Sequence, residues 1–176
     1  MRESTEEDVL YFIFESYRQK KVLAKVREAH PYEEMAYQIY QLENENAYEG
    51  LGRYGDLEEE MDECEFFNLV KETFALQVIR HSESIGKKIL RVGVLGGSGA
   101  SGISAALAAG CDAYLTGDLK YHDFFRAEGR MLLCDIGHFE SERFVTQQLF
   151  QIFSEKFTKF AVLKSNVNTN PVKYFF

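Results

Sequence analysis

Leu90-Arg-Val-Gly-Val-Leu-Gly-Gly-Ser-Gly-Ala-Ser-Gly-Ile103 decides the fold. Val92 to Leu95 is a short apolar run of the kind that fills a buried strand. The glycines then break it, and small residues over 103–109 follow as a helix. The alternation continues outward from there. Ala113-Tyr-Leu115 reads as a second strand, with a helix near 122–127. Met131-Leu-Leu-Cys134 reads as a third strand, 140–156 as a long helix and 160–163 as a fourth strand. Strands alternating with helices predict an α/β fold, a mostly parallel sheet flanked by helices.

Upstream the pattern changes. Residues 9–14 are β-branched and aromatic, which predicts a strand. Val22, Leu23 and Val26 recur at helical spacing over 17–29, and His30-Pro31 stops that helix. Tyr37, Ile39 and Leu42 alternate as a strand. Asn44-Glu-Asn46 marks a linker, so the expected units are 1–46 and 47–176. A glycine-rich turn over 50–55 and an acidic stretch over 56–65 come next. Phe66, Phe67, Val70 and Phe74 then suggest a helix, and 76–79 a strand.

The chain has 176 residues, 45% of them hydrophobic, enough for a core without disulfides. Its three cysteines are widely spaced, and Cys111 and Cys134 read as buried thiols, which favours a reducing compartment. A net charge of -8 argues against general nucleic-acid binding, because that affinity rests on Lys and Arg meeting phosphates. The polar, acidic N-terminus is not a secretory signal, and no apolar run approaches the ~20 residues of a membrane helix. These features point to a soluble cytoplasmic protein.

Three clusters carry candidate chemistry. Gly97-Ser98-Gly99-Ala-Ser-Gly102 spells G-x-G-x-x-G between a strand and a helix, the setting of a dinucleotide fingerprint. Against that stand a short helix, an Asp118 that comes early, and the mid-chain position. An anion site at the loop and a plain tight turn both remain open. His138 and Glu142 lie four apart where a strand end enters a helix, so they meet on one side. Val145, Leu149, Ile152 and Phe153 continue that side as an apolar stripe. Glu142 is therefore expected on an inward face, where a carboxylate needs a partner. Imidazole with carboxylate suits Zn, Mn, Fe or Mg; a macrodipole-complementing Glu is the plain alternative. Asp118, Lys120 and His122 leave another strand end on the same rim. Lys120 is the group placed to handle an anion, while Asp118 and His122 also fit a cap and a surface histidine.

Five segments together resemble the NIF3 family, also known as the GTP cyclohydrolase 1 type 2 homologue or DUF34 family. They are Gly50-Leu-Gly-Arg-Tyr-Gly-Asp-Leu57, Arg91-Val-Gly-Val-Leu-Gly-Gly-Ser-Gly99, Ala113-Tyr-Leu-Thr-Gly-Asp-Leu-Lys-Tyr-His-Asp123, Asp135-Ile-Gly-His-Phe-Glu-Ser-Glu142 and Asn168-Thr-Asn-Pro-Val-Lys-Tyr174. His30-Pro-Tyr-Glu-Glu34 with Ala36-Tyr-Gln-Ile-Tyr40 resembles the end of a PII/CutA-like insert of longer members. Residues 1–46 are thus expected as a partial ferredoxin-like β-α-β piece. The resemblance implies a divalent, dinuclear metal site between two lobes and a hexameric homo-oligomer. It makes His138 and Glu142 metal ligands and places Asp118, Lys120 and His122 beside the pocket. Hydrolase-like chemistry on a nucleotide-like or other anionic substrate is implied, with a non-enzymatic assembly module as the alternative. The family's adjacent histidine pair is absent, so a C-terminal portion of a longer protein is expected.

Overall fold

The structure is a computed structural model that describes residues 8–44 and 49–175. It divides into two compact units, Met1–Glu45 and Asn46–Phe176.

In the first unit a short 3-10 turn, Ser16–Arg18, leads into helix α1, Gln19–Ala29. His30 ends α1 in extended geometry, as the following proline requires. The strands expected over 9–14 and 37–42 are absent. Their backbones carry no ladder among the described residues, and Val9, Leu10, Tyr11 and Ile13 are all exposed. β propensity alone does not make a strand, because the backbone groups need a partner strand.

The second unit is built on a mixed five-stranded sheet of order β1-β3-β4-β5-β2. The strands are β1 (Arg53–Met61), β2 (Arg80–His81), β3 (Ile89–Ser98), β4 (Ala113–Gly117) and β5 (Leu132–Asp135). β3, β4 and β5 are parallel, with Val92 opposite Ala113 and Ala113 opposite Leu132. The two edge strands run antiparallel to them. Every residue of β4 and β5 is buried, as expected where both faces of a parallel sheet are covered.

The side-chain period of two sorts these residues into two cores. Ala113, Leu115, Leu132 and Cys134 pack on one face under Phe66 and Val70 of helix α2, Glu63–Phe74. Tyr114, Leu133 and Met131 pack on the other, under Ile103 and Ala106 of helix α3, Ile103–Ala108, and Ala127 of the 3-10 helix Tyr121–Ala127. Burying side chains such as Leu132, Leu133 and Ile89 contributes roughly 1.5–3 kcal/mol each. Cys111 and Cys134 are buried free thiols, and burial pushes both thiol pKa values up.

Several expected boundaries moved. The acidic stretch belongs mostly to β1, where Glu58, Glu59 and Glu60 are exposed on an edge strand that carries charge against mispairing. Only its end enters α2, whose start is a reciprocal capping box. Asp62 Oδ1 accepts from Glu65 N at 2.8 Å, and Glu65 Oε2 accepts from Asp62 N at 3.0 Å. The strand expected over 76–79 is displaced to Arg80–His81. The strand expected over 160–163 does not form, because β2 already occupies the free side of β5. The long helix expected over 140–156 is two helices, α4 (His138–Glu142) and α5 (Val145–Lys156), separated by a turn at Arg143–Phe144. Val145, Leu149 and Phe153 are exposed, so the apolar stripe is not part of the described core. No helix of the described residues is long and apolar enough to cross a membrane.

Candidate metal-binding site and adjoining cavity

The carboxyl ends of β3, β4 and β5 converge on one rim, the place where open α/β sheets gather ligands. The β4 turn brings Asp118 there with φ 55, a left-handed conformation that aspartate tolerates better than most residues. The β5 turn brings His138 as the first residue of α4. His138 Nδ1 lies 2.6 Å from Asp118 Oδ2, and His138 Nε2 lies 3.2 Å from Glu142 Oε2. All three side chains are about half exposed. Glu142 is therefore not on the inward face that the sequence suggested, and its partner is an imidazole at the rim.

Charge follows from this geometry. The Asp118 hydrogen bond raises the His138 pKa above its ordinary value; partial burial opposes it, and the charges of Asp118 and Glu142 add to it. The ring is held through Nδ1 by a carboxylate. This is the arrangement by which proteins orient an imidazole so that Nε2 is the coordinating atom.

The glycine loop meets this pair at one point. Gly97 has φ 67, and a Cβ placed there would run into Glu142 Oε1 and stand 3.3 Å from His138 Nε2. Its N–H donates to Ser141 Oγ at 2.8 Å, and its carbonyl accepts from Thr116 Oγ1 at 3.3 Å. Gly99 presses on Thr116 and Leu95, Gly102 on Tyr114, and the Tyr114 hydroxyl donates to Gly99 O at 2.8 Å. A 3-10 turn, Ala100–Gly102, separates the loop from the six-residue α3. The glycines thus permit close packing, while Ser98 points outward as an exposed residue.

Asp118 and His138 are brought together; Lys120 and His122 are not in contact with them. Lys120 is exposed at the start of the 3-10 helix, where its backbone N–H donates to Asp123 Oδ2 at 2.9 Å. His122 is exposed and stacks edge-on against Tyr121 at 5.2 Å. Among the described residues no three His, Cys, Asp or Glu side chains are arranged to hold one ion. His138 and Glu142 offer two half-exposed donors, and their atoms occupy the space that a Cβ at Gly97 would need. An imidazole beside a carboxylate is a donor pair whose chemistry suits a divalent ion.

Asp135, a residue that sequence reasoning passed over, organises both arms of this rim. It is 5% exposed. Its Oδ2 accepts from Leu119 N at 3.0 Å and from Arg80 Nη1 at 2.8 Å, and its Oδ1 accepts from Gly137 N at 3.0 Å. Leu119 follows Asp118, and Gly137 precedes His138. One buried carboxylate therefore sets the backbone on both sides of the Asp118–His138 hydrogen bond. An aspartate ending a buried apolar strand was the available signal.

A cavity of about 710 Å3 opens beside the pair. Asp118, His138 and Glu142 lie on its wall with Arg80 and Val145, and Thr169, Asn170, Pro171, Val172 and Tyr174 of the C-terminal segment also line it. Asn170 ties that C-terminal segment down by donating from Nδ2 to Glu140 Oε1 at 2.8 Å. Gly97, Ser98, Gly99, Lys120 and His122 do not line it. A smaller cavity of about 350 Å3 behind Asn170 does not reach His138.

The Duf34/NIF3 (NGG1p interacting factor 3) family model matches residues 13–171. A GTP cyclohydrolase 1 type 2 homolog of Halalkalibacterium halodurans is 36% identical over 162 residues, 89% of this chain and 43% of that protein. The Bacillus subtilis GTP cyclohydrolase 1 type 2 homolog is 34% identical over 169 residues, 92% of this chain and 44% of that protein. The crystal structure of a Bacillus cereus protein related to NIF3 superposes with TM-score 0.69 at 32% identity, covering 92% of this chain and 46% of that one. The chain spans less than half the length of these relatives. The chain belongs to the Duf34/NIF3 family.

Proposed function

We propose that this chain carries half of a divalent metal site and serves metal-dependent hydrolysis of a small anionic, nucleotide-like substrate in the cytoplasm. The observation that carries the reading is the convergence of His138 Nε2 and Glu142 Oε2 beside a glycine with no Cβ. His138 and Glu142 would hold the ion, which is Zn, Mn, Fe or Mg on donor chemistry. A second ion and its further ligands would come from the part of the fold that longer relatives carry. Such an ion supplies a bound water of lowered pKa and polarises a substrate oxygen. Asp118, by holding Nδ1, would leave Nε2 available to the ion, and Asp135 keeps the backbones beside Asp118 and His138 in place. The cavity along α4 and α5 receives the substrate; Lys120 and the 97–99 loop lie outside its lining.

Metal content of the purified full chain, beside His138→Ala and Glu142→Ala, tests this. Metal near one equivalent in the parent and lost in both variants supports the site. A parent chain that takes up no Zn, Mn, Fe or Mg removes it.

A second reading is favoured by the exposed apolar residues at 9–13 and by the lack of a third metal donor among the described residues: an oligomer-forming module, hexameric by family resemblance, without turnover of its own. On this reading the first unit is a partial PII/CutA-like piece. It predicts an assembly whose size is unchanged by chelator.

A further inference from the structure

We propose that the 710 Å3 cavity binds a carboxylate or phosphate carried on a small apolar body, with Arg80 as the anchor for the oxyanion. This deepens the metal reading and rests on it.

Arg80 projects from the edge strand β2, opposite Asp135 in the ladder. Its guanidinium is held from two sides. Nη1 donates to Asp135 Oδ2 at 2.8 Å, and Cζ stands 5.3 Å from the centroid of the Phe124 ring. The side chain is nevertheless 58% exposed, on the cavity wall. Among the described residues its other N–H donors meet no protein acceptor. A guanidinium fixed in orientation with donors to spare is suited to a planar or tetrahedral oxyanion, which it binds through two parallel hydrogen bonds. The cavity's other cation, Arg143, donates to the Phe74 carbonyl and lies 5.1 Å from the Phe144 ring centroid.

The same cavity is lined by the carboxylates of Asp118, Asp135, Glu140 and Glu142, of which Asp135 is already paired with Arg80. Glu140 is engaged by Asn170. Asp118 and Glu142 flank His138, so their charge faces any incoming anion until a divalent ion offsets it. The order of binding follows: metal first, then the oxyanion. Val145, Pro171 and Val172 add apolar surface to the same cavity, and the volume lies within the range of small-molecule sites. The ligand is thus an organic acid or organic phosphate rather than a bare ion.

The full chain, with and without one equivalent of zinc, would be titrated calorimetrically with phenyl phosphate, benzoate and inorganic phosphate. Expected is binding of phenyl phosphate or benzoate to the zinc-loaded chain at least tenfold tighter than to the zinc-free chain, with inorganic phosphate weaker than phenyl phosphate. Whichever of the two aromatic probes binds tighter identifies the oxyanion. Arg80→Gln should weaken that binding at least tenfold with zinc uptake retained. Because Arg80 also pairs with Asp135, Val145→Trp is the second variant; it fills the cavity from a half-exposed position and should block the probe without altering zinc content. Equal probe binding in the parent and both variants, or none in the zinc-loaded parent, overturns the proposal while the metal site stands. A parent that takes up no zinc overturns both.

Discussion

Replacing Asp135 by asparagine changes one oxygen to an NH2 group and leaves the shape intact. The consequence can be worked from three hydrogen bonds. Asp135 receives the N–H groups of Leu119 and Gly137 and the guanidinium of Arg80 at 2.8–3.0 Å, from a position 5% exposed. Both carboxylate oxygens accept, so in either amide orientation the NH2 group faces an N–H donor. At least one backbone N–H loses its acceptor, and Leu119 is itself 2% exposed. An orphaned buried donor costs about 1–3 kcal/mol, and a hydrogen bond to a charged group contributes about 1.5–3 kcal/mol. Because Arg80 is largely exposed, its share is at the low end. Asp135→Asn should therefore destabilise the chain by about 2–4 kcal/mol, read from urea denaturation with an unchanged slope. It should also weaken metal binding by about tenfold or more, since the released backbones carry Asp118 and His138. A variant within about 0.5 kcal/mol of the parent, the scatter of ordinary surface substitutions, with full metal affinity, would refute the role given to Asp135.

Gly97→Ala puts a methyl group against Glu142 Oε1 at φ 67; it should reduce metal uptake severely while costing about 1 kcal/mol of stability, a combination separable by elemental analysis and thermal melting. Gly117→Ala would place its Cβ 2.7 Å from the His138 backbone N and 2.8 Å from Gly137 C; neither is free to move, so a loss of about 2–4 kcal/mol is expected, and a melting curve matching the parent would contradict the close approach of β4 to α4. In the metal-free chain His138 should titrate above 6.5, followed by its ring protons in NMR, and Asp118→Asn should bring the midpoint down. The sign is that of a raised histidine: the stabilisation from protonated His138 is full below 6.5 and fades as pH rises through the raised value, whereas metal affinity grows over the same interval because the ion must displace that proton. A midpoint at or below 6.5 would show that the Asp118 contact is not formed in solution.

The parallel centre of the sheet was legible because β4 and β5 are buried on both faces, and such strands read as unbroken apolar runs. The edge strands were not. β1 is a row of acids, and β2 is two residues, Arg80 and His81, whose place depends on the open side of β5 rather than on their own propensity. The tertiary partner decides in the opposite sense over 9–14 and 160–163, where strong β formers lack one and stay unpaired. His138 and Glu142 could be paired from their spacing alone, since i and i+4 share a helix face and α4 begins at His138. The contact of His138 with Asp118, twenty residues away, has no local signature and needs the register of β4 beside β5. G-x-G-x-x-G likewise needs the fold to be read. The motif records where a Cβ is not tolerated, and the intruding atoms here belong to Glu142, Thr116 and Tyr114. Glycine spacing reports a close approach; only the fold says what is approaching, and in this chain at Gly97 it is the His138–Glu142 pair.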